Sequence, residues 1–159
     1  MCELQRNLGE NPFIENGVLY FNGRRYTLVE FPGLPNELKK AGGLGGMKRD
    51  EGILNFRGIP EEFLPYALVH ESFCGFIDGS GKCIDAVKKE LDLVPGNIKE
   101  GYIQWRIQFF EGMCNYAKNN IKNGAYYQKL LQEMEGSLNY LKGLLIGLSI
   151  QGKLQEIMD

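Results

Sequence analysis

Hydrophobic and polar positions along the chain follow two different periods. Residues 17–31 form two β-prone runs joined by Asn22-Gly23. A type I′ turn needs positive φ at both central residues, which Asn-Gly supplies, so this stretch is predicted to be a hairpin. Pro32 and Pro35 end the second strand, and residues 34–40 suit one short helical turn. Residues 41–52 read Ala-Gly-Gly-Leu-Gly-Gly-Met-Lys-Arg-Asp-Glu-Gly, too rich in glycine for regular structure to be expected. A third strand is expected over residues 53–57, stopped by Gly58 and Pro60.

From Glu61 the period lengthens. Phe63, Ala67, His70, Cys74 and Ile77 recur at helical spacing and define one face, with Pro65 tolerated in the first turns. Asp78-Gly-Ser-Gly81 ends that helix. A second helix is expected from about Lys82 to Leu93, with Cys83, Ala86, Val87 and Glu90 on one stripe. Pro95-Gly96 closes it. Asn97 followed by Glu100 suggests a capping arrangement that opens a third helix, whose apolar face holds Tyr102, Trp105, Phe109 and Met113. A long final helix starts near Ala125. The pattern predicts a single α+β domain over residues 1–159. Residues 1–60 are mainly strands and loops, giving a small antiparallel sheet with an N-terminal β-hairpin, and residues 61–159 add four helices.

Composition narrows the chemistry. The 159 residues are 43% hydrophobic, enough for one core, and Lys plus Arg number 18 against 20 Asp plus Glu. That balance lacks the basic footprint of phosphate-backbone binding, so nucleic acid is not an expected partner. The N-terminus shows no signal-peptide pattern, and the most apolar stretch, residues 138–150, is interrupted by Lys142 and too short to span a bilayer. A cytoplasmic location, no membrane partner and reduced thiols at Cys2, Cys74, Cys83 and Cys114 are therefore expected. One histidine among 159 residues rules out any site built from several imidazoles of one chain.

That histidine sits in suggestive company. His70 is followed by Glu71 and, one turn later, by Cys74. Residues four apart on a helix stand one above the other, and imidazole and thiolate both suit a borderline-soft ion such as Zn²⁺. Glu71 would project about 100° away, where a general base or a salt-bridge partner could sit. The next helix offers Cys83 and Glu90 on a face that is otherwise apolar. A carboxylate there must be paired, metal-bound or turned out to solvent.

A strand, a helix carrying His-Glu-x-x-ligand and a second helix carrying a carboxylate resemble the zincin metallopeptidases, in particular the small gluzincin type. The resemblance covers about forty residues, from Ile53 to Glu90. It implies His70 as first metal ligand, Glu71 as the base that activates water, Cys74 in place of the second histidine, and Glu90 as third ligand. Cysteine in that place departs from the family pattern and would make the metal less Lewis-acidic. Cys83 is the substitute third ligand, giving a His/Cys/Cys set without the spacing of the zinc deaminases. The resemblance thus implies a zinc-binding protein that is either a hydrolase or a degenerate, inactive relative of one. A core histidine hydrogen-bonded to a carboxylate or carbonyl is the other reading of His70.

A reading from a different class stays open beside it: a non-catalytic module that binds a protein or peptide, or itself, through its aromatic helix and glycine-rich loop. The loop around Gly42–Arg49 does not match a phosphate-binding motif and suits a flexible flap. Trp105, Arg106, Phe110 and Tyr116 are the interface candidates, being residue types enriched at binding hot spots. In the last helix Leu130, Met134, Leu138, Leu141, Leu145 and Leu148 form an apolar ridge. Gly136, Gly143 and Gly147 share another face, which suggests close approach of a further helix. An αα-hairpin with the third helix is the preferred arrangement, and a homodimer through the last helix is the alternative.

Overall fold

A computed structural model describes residues 11–39, 43–48, 52–74, 79 and 81–158. Its strands are β1 (Phe13–Glu15), β2 (Val18–Phe21), β3 (Arg24–Glu30), β4 (Leu44–Lys48) and β5 (Ile53–Arg57). Its helices are α1 (Asn36–Lys39), α2 (Leu64–Phe73), α3 (Cys83–Leu93), α4 (Gly96–Asn119) and α5 (Ala125–Met158). The α+β class expected from the sequence is present.

Two Asn-Gly turns build the first three strands. Asn22 and Gly23 have φ of 50° and 71°, as a type I′ turn requires. Asn16 and Gly17 repeat the device at 51° and 73°, adding β1, which has only three residues and so shows no period-two pattern of its own. The sheet order is β1-β2-β3-β5-β4. Three pairings are antiparallel, but β3 and β5 run parallel in the register Leu28 to Leu54, so the sheet is mixed. The cause is the glycine-rich segment. Residues 44–48 form an edge strand that hairpins with β5, so the chain returns beside β3 in the same direction. This overturns the expectation of an irregular flap, although Gly42 and Arg49 lie outside the described residues. Glycine permits the strand: a Cβ on Gly43 would lie 2.5 Å from the Arg57 carbonyl oxygen, and its φ is +113°.

Helix α2 is buried on two sides. Leu64, Leu68 and Val69 pack with Leu19, Phe21, Tyr26 and Leu54 of the sheet. On its other side Phe63 and Ala67 join a helical core containing Val87, Tyr102, Trp105, Phe109, Leu130 and Leu141. The helix stops at Phe73, one turn short of the expected end, because Cys74 turns to extended backbone with ψ of 118°. Ile77 lies outside the described residues. Helix α4 starts at Gly96 behind Pro95, with no side-chain cap bond, so the Asn97/Glu100 capping arrangement does not form. Proline there has fixed φ and presents extended backbone, which suffices to launch the helix.

Contacts of Tyr116 with Tyr127 and of Glu111 with Lys142 run in opposite senses along α4 and α5, which pack together as an antiparallel hairpin. The glycines do not mediate that packing. A Cβ at Gly136, Gly143 or Gly147 would meet nothing within 4 Å. Among the described residues no helix is long and apolar enough to cross a membrane.

Candidate metal centre

The inner face of α2, the residue that follows it, and the first residue of α3 meet at one point. His70 is supplied by α2, Cys74 by the extended residue after it, and Cys83 by the start of α3. One donor atom from each lies within 4.8 Å of the others, so the group could hold a metal ion. Zn–S and Zn–N bonds of about 2.3 and 2.0 Å at tetrahedral angles place neighbouring donors roughly 3.5–3.8 Å apart. The Cys83 sulfur lies 3.6 Å from His70 Nε2, already such an edge. Cys74 keeps its place because its backbone N–H donates to the His70 carbonyl at 2.9 Å, extending the helical ladder by one residue. Cys74, Cys83 and Cys114 are not joined in disulfides.

Glu90 stands outside that trio. Its carboxylate is fully buried, and among the described residues it faces only donors. Oε1 takes His70 Nδ1 at 2.7 Å, and Oε2 takes the Tyr102 hydroxyl together with Arg106 Nε at 3.0 Å and Nη2 at 2.9 Å. The geometry thus gives Glu90 the place of an outer carboxylate that orients the imidazole, while Cys83 stands where a third ligand would be. The physical reason is Arg106. A buried guanidinium needs a carboxylate of its own, and a bidentate grip leaves that carboxylate little to give a metal.

The charges follow from this network. Burial alone would raise the Glu90 carboxyl, but the charges of Arg106 and His70 and the bonds from His70 and Tyr102 hold it below its ordinary value. Burial opposes a charge on His70, yet Glu90 and the contact with Cys74 push its pKa up to about 9. Burial also keeps Tyr102 a phenol, well above its usual range, so it donates. The Cys83 thiol is raised well above its usual value by Cys74 and by burial, while a contact with Ser137 lowers it. Ser137 Oγ, beside that thiol, is fully buried and meets no partner at full hydrogen-bonding geometry among the described residues. A thiolate at Cys83 would give that hydroxyl an acceptor.

The centre opens into a cavity of about 240 Å³, whose walls include Phe109, Met113, Tyr126, Leu130 and Met134. Glu71 lines the same cavity. Burial, ahead of the opposing charge of His70, raises its carboxyl above the ordinary value. Strand β4 passes close by, since a Cβ on Gly45 would sit 3.3 Å from Glu71 Oε1.

The expected interface on α4 is not a surface. Trp105, Arg106 and Phe110 are 7%, 3% and 1% exposed, and the rings of Trp105, Phe109 and Phe110 lie 4.8–5.3 Å from the Arg106 guanidinium. Residues that resemble a binding hot spot here enclose a buried cation. Tyr116 is half-buried and packs edge-on against Tyr127. Sequence reasoning missed Tyr102, Arg106 and Ser137 as parts of the site. A signal existed for Arg106: an arginine on the apolar face of one helix and a glutamate on that of another each call for the opposite charge.

Comparison with protein-family models, curated proteins and solved structures finds no match.

Proposed function

We propose that this chain binds one Zn²⁺ through His70 Nε2 and the thiolates of Cys74 and Cys83, with an open position facing the cavity. The observation that carries the reading is the convergence of the three donors on one side of His70, with Glu90 on the other. Glu90 accepts from Nδ1, which leaves Nε2 of a neutral imidazole free to ligate, the usual role of an outer carboxylate behind a metal-bound histidine. Two thiolates balance the charge of the ion, and Arg106 balances Glu90, so the buried assembly is neutral. The donor set also suits Ser137, whose orphaned hydroxyl gains an acceptor once Cys83 is a thiolate.

With three protein ligands and a fourth position open, the centre has the form of a catalytic rather than a structural zinc site. Zinc would supply a polarised water or carbonyl there, and Glu71, which lines the cavity, would take the proton. Two thiolates donate more charge than two imidazoles and make the ion a weaker Lewis acid. Metal binding is therefore the primary function proposed, and hydrolysis a slow or vestigial one in the manner of a divergent zincin. The test is zinc content by plasma mass spectrometry after reconstitution under reducing conditions. Wild type should carry one zinc per chain and His70→Ala almost none. A wild type that stays metal-free refutes the proposal. Zinc retained by His70→Ala refutes the ligand set.

A second and compatible reading comes from α5. Ile146, Ile150, Leu154 and Ile157 are each more than half exposed and share the outward face with Gly143 and Gly147. We propose that a second copy of the chain covers them. An antiparallel two-fold centred between Leu148 and Ser149 sets Gly147 against the partner's Ile150, and Gly143 against the partner's Leu154. Small residues then receive large ones on both copies, as a self-complementary interface requires. Sedimentation equilibrium should give twice the 18.0 kDa chain mass, and Ile150→Lys with Leu154→Lys should return the monomer. A monomeric wild type at tens of micromolar (roughly the range of a weak dimer) refutes this reading.

A further inference from the structure

The two sulfurs of the centre also face each other. Cys74 and Cys83 donate within 4.8 Å, and eight residues, 75–82, separate them in the chain. A disulfide needs sulfurs about 2.05 Å apart, so the side chains must close the remaining gap. The movement falls to Cys74, which follows the last residue of α2 in extended backbone, whereas Cys83 is the first residue of α3 and packs in the helical core. The two differ in access. Both line the cavity, but Cys74 is partly exposed whereas Cys83 is 1% exposed. The cavity equals the liquid volume of about eight waters, room enough for a small peroxide.

We infer that Cys74 and Cys83 are a modification site for hydroperoxides, Cys74 being oxidised first and Cys83 resolving it into an intramolecular disulfide. In the first step the Cys74 sulfur attacks the outer peroxide oxygen, the O–O bond breaks, and an alcohol (water, for hydrogen peroxide) leaves with the thiol proton. The product is a sulfenic acid. In the second step the Cys83 sulfur attacks the Cys74 sulfur, the S–O bond breaks, and water leaves with the Cys83 proton. Overall two thiols lose two electrons and two protons, and one hydroperoxide is reduced. The third described thiol, Cys114, lies outside the His70–Cys74–Cys83 group and takes no part. The disulfide consumes two of the three proposed zinc ligands, so bond and metal exclude each other. That last statement rests on the zinc reading, whereas formation of the bond does not.

The experiment uses the full chain, metal-free and zinc-loaded, with one equivalent of hydrogen peroxide. Intact-mass and peptide mass spectrometry should show loss of two hydrogens and a link between Cys74 and Cys83, reversed by dithiothreitol. Cys83→Ser should leave a sulfenic acid at Cys74 that dimedone captures, and Cys74→Ser should leave Cys83 unmodified. The zinc-loaded chain should release one zinc per disulfide. Cys74 advancing to sulfinic acid in wild type without a link, or bonding to Cys2 or Cys114, overturns the inference. A link formed with zinc still bound overturns the exclusion. A chain that forms the link yet never takes up zinc supports the modification site and refutes the zinc reading alone.

Discussion

Glu90→Gln is the sharpest probe of the electrostatic scaffold. The substitution keeps the shape of the side chain and removes its charge. Among the described residues every partner of that carboxylate is a donor: His70 Nδ1, the Tyr102 hydroxyl, and Nε and Nη2 of Arg106. An amide nitrogen there is satisfied only if the imidazole gives up its Nδ1 proton or the Tyr102 hydroxyl turns its own away, and Arg106, 3% exposed, becomes a buried cation without a counter-charge. Breaking a buried ion pair by neutralising one member costs about 3–5 kcal/mol. In a protein of this size each kcal/mol lowers Tm by roughly 2–4 °C, so a fall of about 6–20 °C is expected. Thermal unfolding followed by circular dichroism, in chelator so that metal loss adds nothing, measures it. Arg106→Met alone should be comparably harmful, and the double variant should be less damaged than the sum of the two. A loss below about 1 kcal/mol for Glu90→Gln, or strict additivity in the double variant, would show that the network does not hold the charges described.

Other consequences are open to direct measurement. Without metal, His70 titrates near pH 9 when folded and near 6.5 when unfolded, so its contribution is complete below pH 6.5 and is lost as pH rises to 9. Tm of the chelated protein should fall across that window, and His70→Gln should flatten the fall. Apparent zinc affinity should rise over the same window because the ion displaces the imidazole proton, a trend that competition with a chromogenic chelator would report. Ser137→Ala should leave the metal-free protein as stable as wild type but weaken zinc binding by about tenfold. Equal affinity would remove Ser137 from the site. Gly43→Ala should cost about 3 kcal/mol in urea unfolding, because the residue needs positive φ and a Cβ would strike the Arg57 carbonyl.

Much of the fold was legible because it rests on short-range rules. The Asn22-Gly23 hairpin, the stop at Pro95 and the long run from Ala125 are each set by a few neighbouring residues. Strand β4 was not legible. Glycine has no intrinsic preference for a strand, and residues 44–48 are extended because β5 pairs with them and Gly43 admits the Arg57 carbonyl that a side chain would exclude. At the site, His70, Glu71, Cys74 and Cys83 stood out through spacing and residue type. What spacing could not decide was which way Glu90 points. That depends on Arg106, sixteen residues away on another helix, and a helical stripe does not say which stripe of the next helix it meets. The same limit led Trp105, Arg106 and Phe110 to be named as interface candidates, since a cation among aromatics looks alike whether it awaits a partner or encloses one.

Burial of α2 on both faces has a kinetic corollary. The helix cannot lift from the sheet without exposing Leu64, Leu68 and Val69, nor from the other helices without exposing Phe63 and Ala67. Its amide protons should therefore exchange with deuterium only through global opening, among the slowest in the chain. His70 rides on that helix, so thermal breathing will not expose it. Among the described residues, the way to the centre is the cavity beside Cys74, and the width of that passage will govern how fast anything arrives.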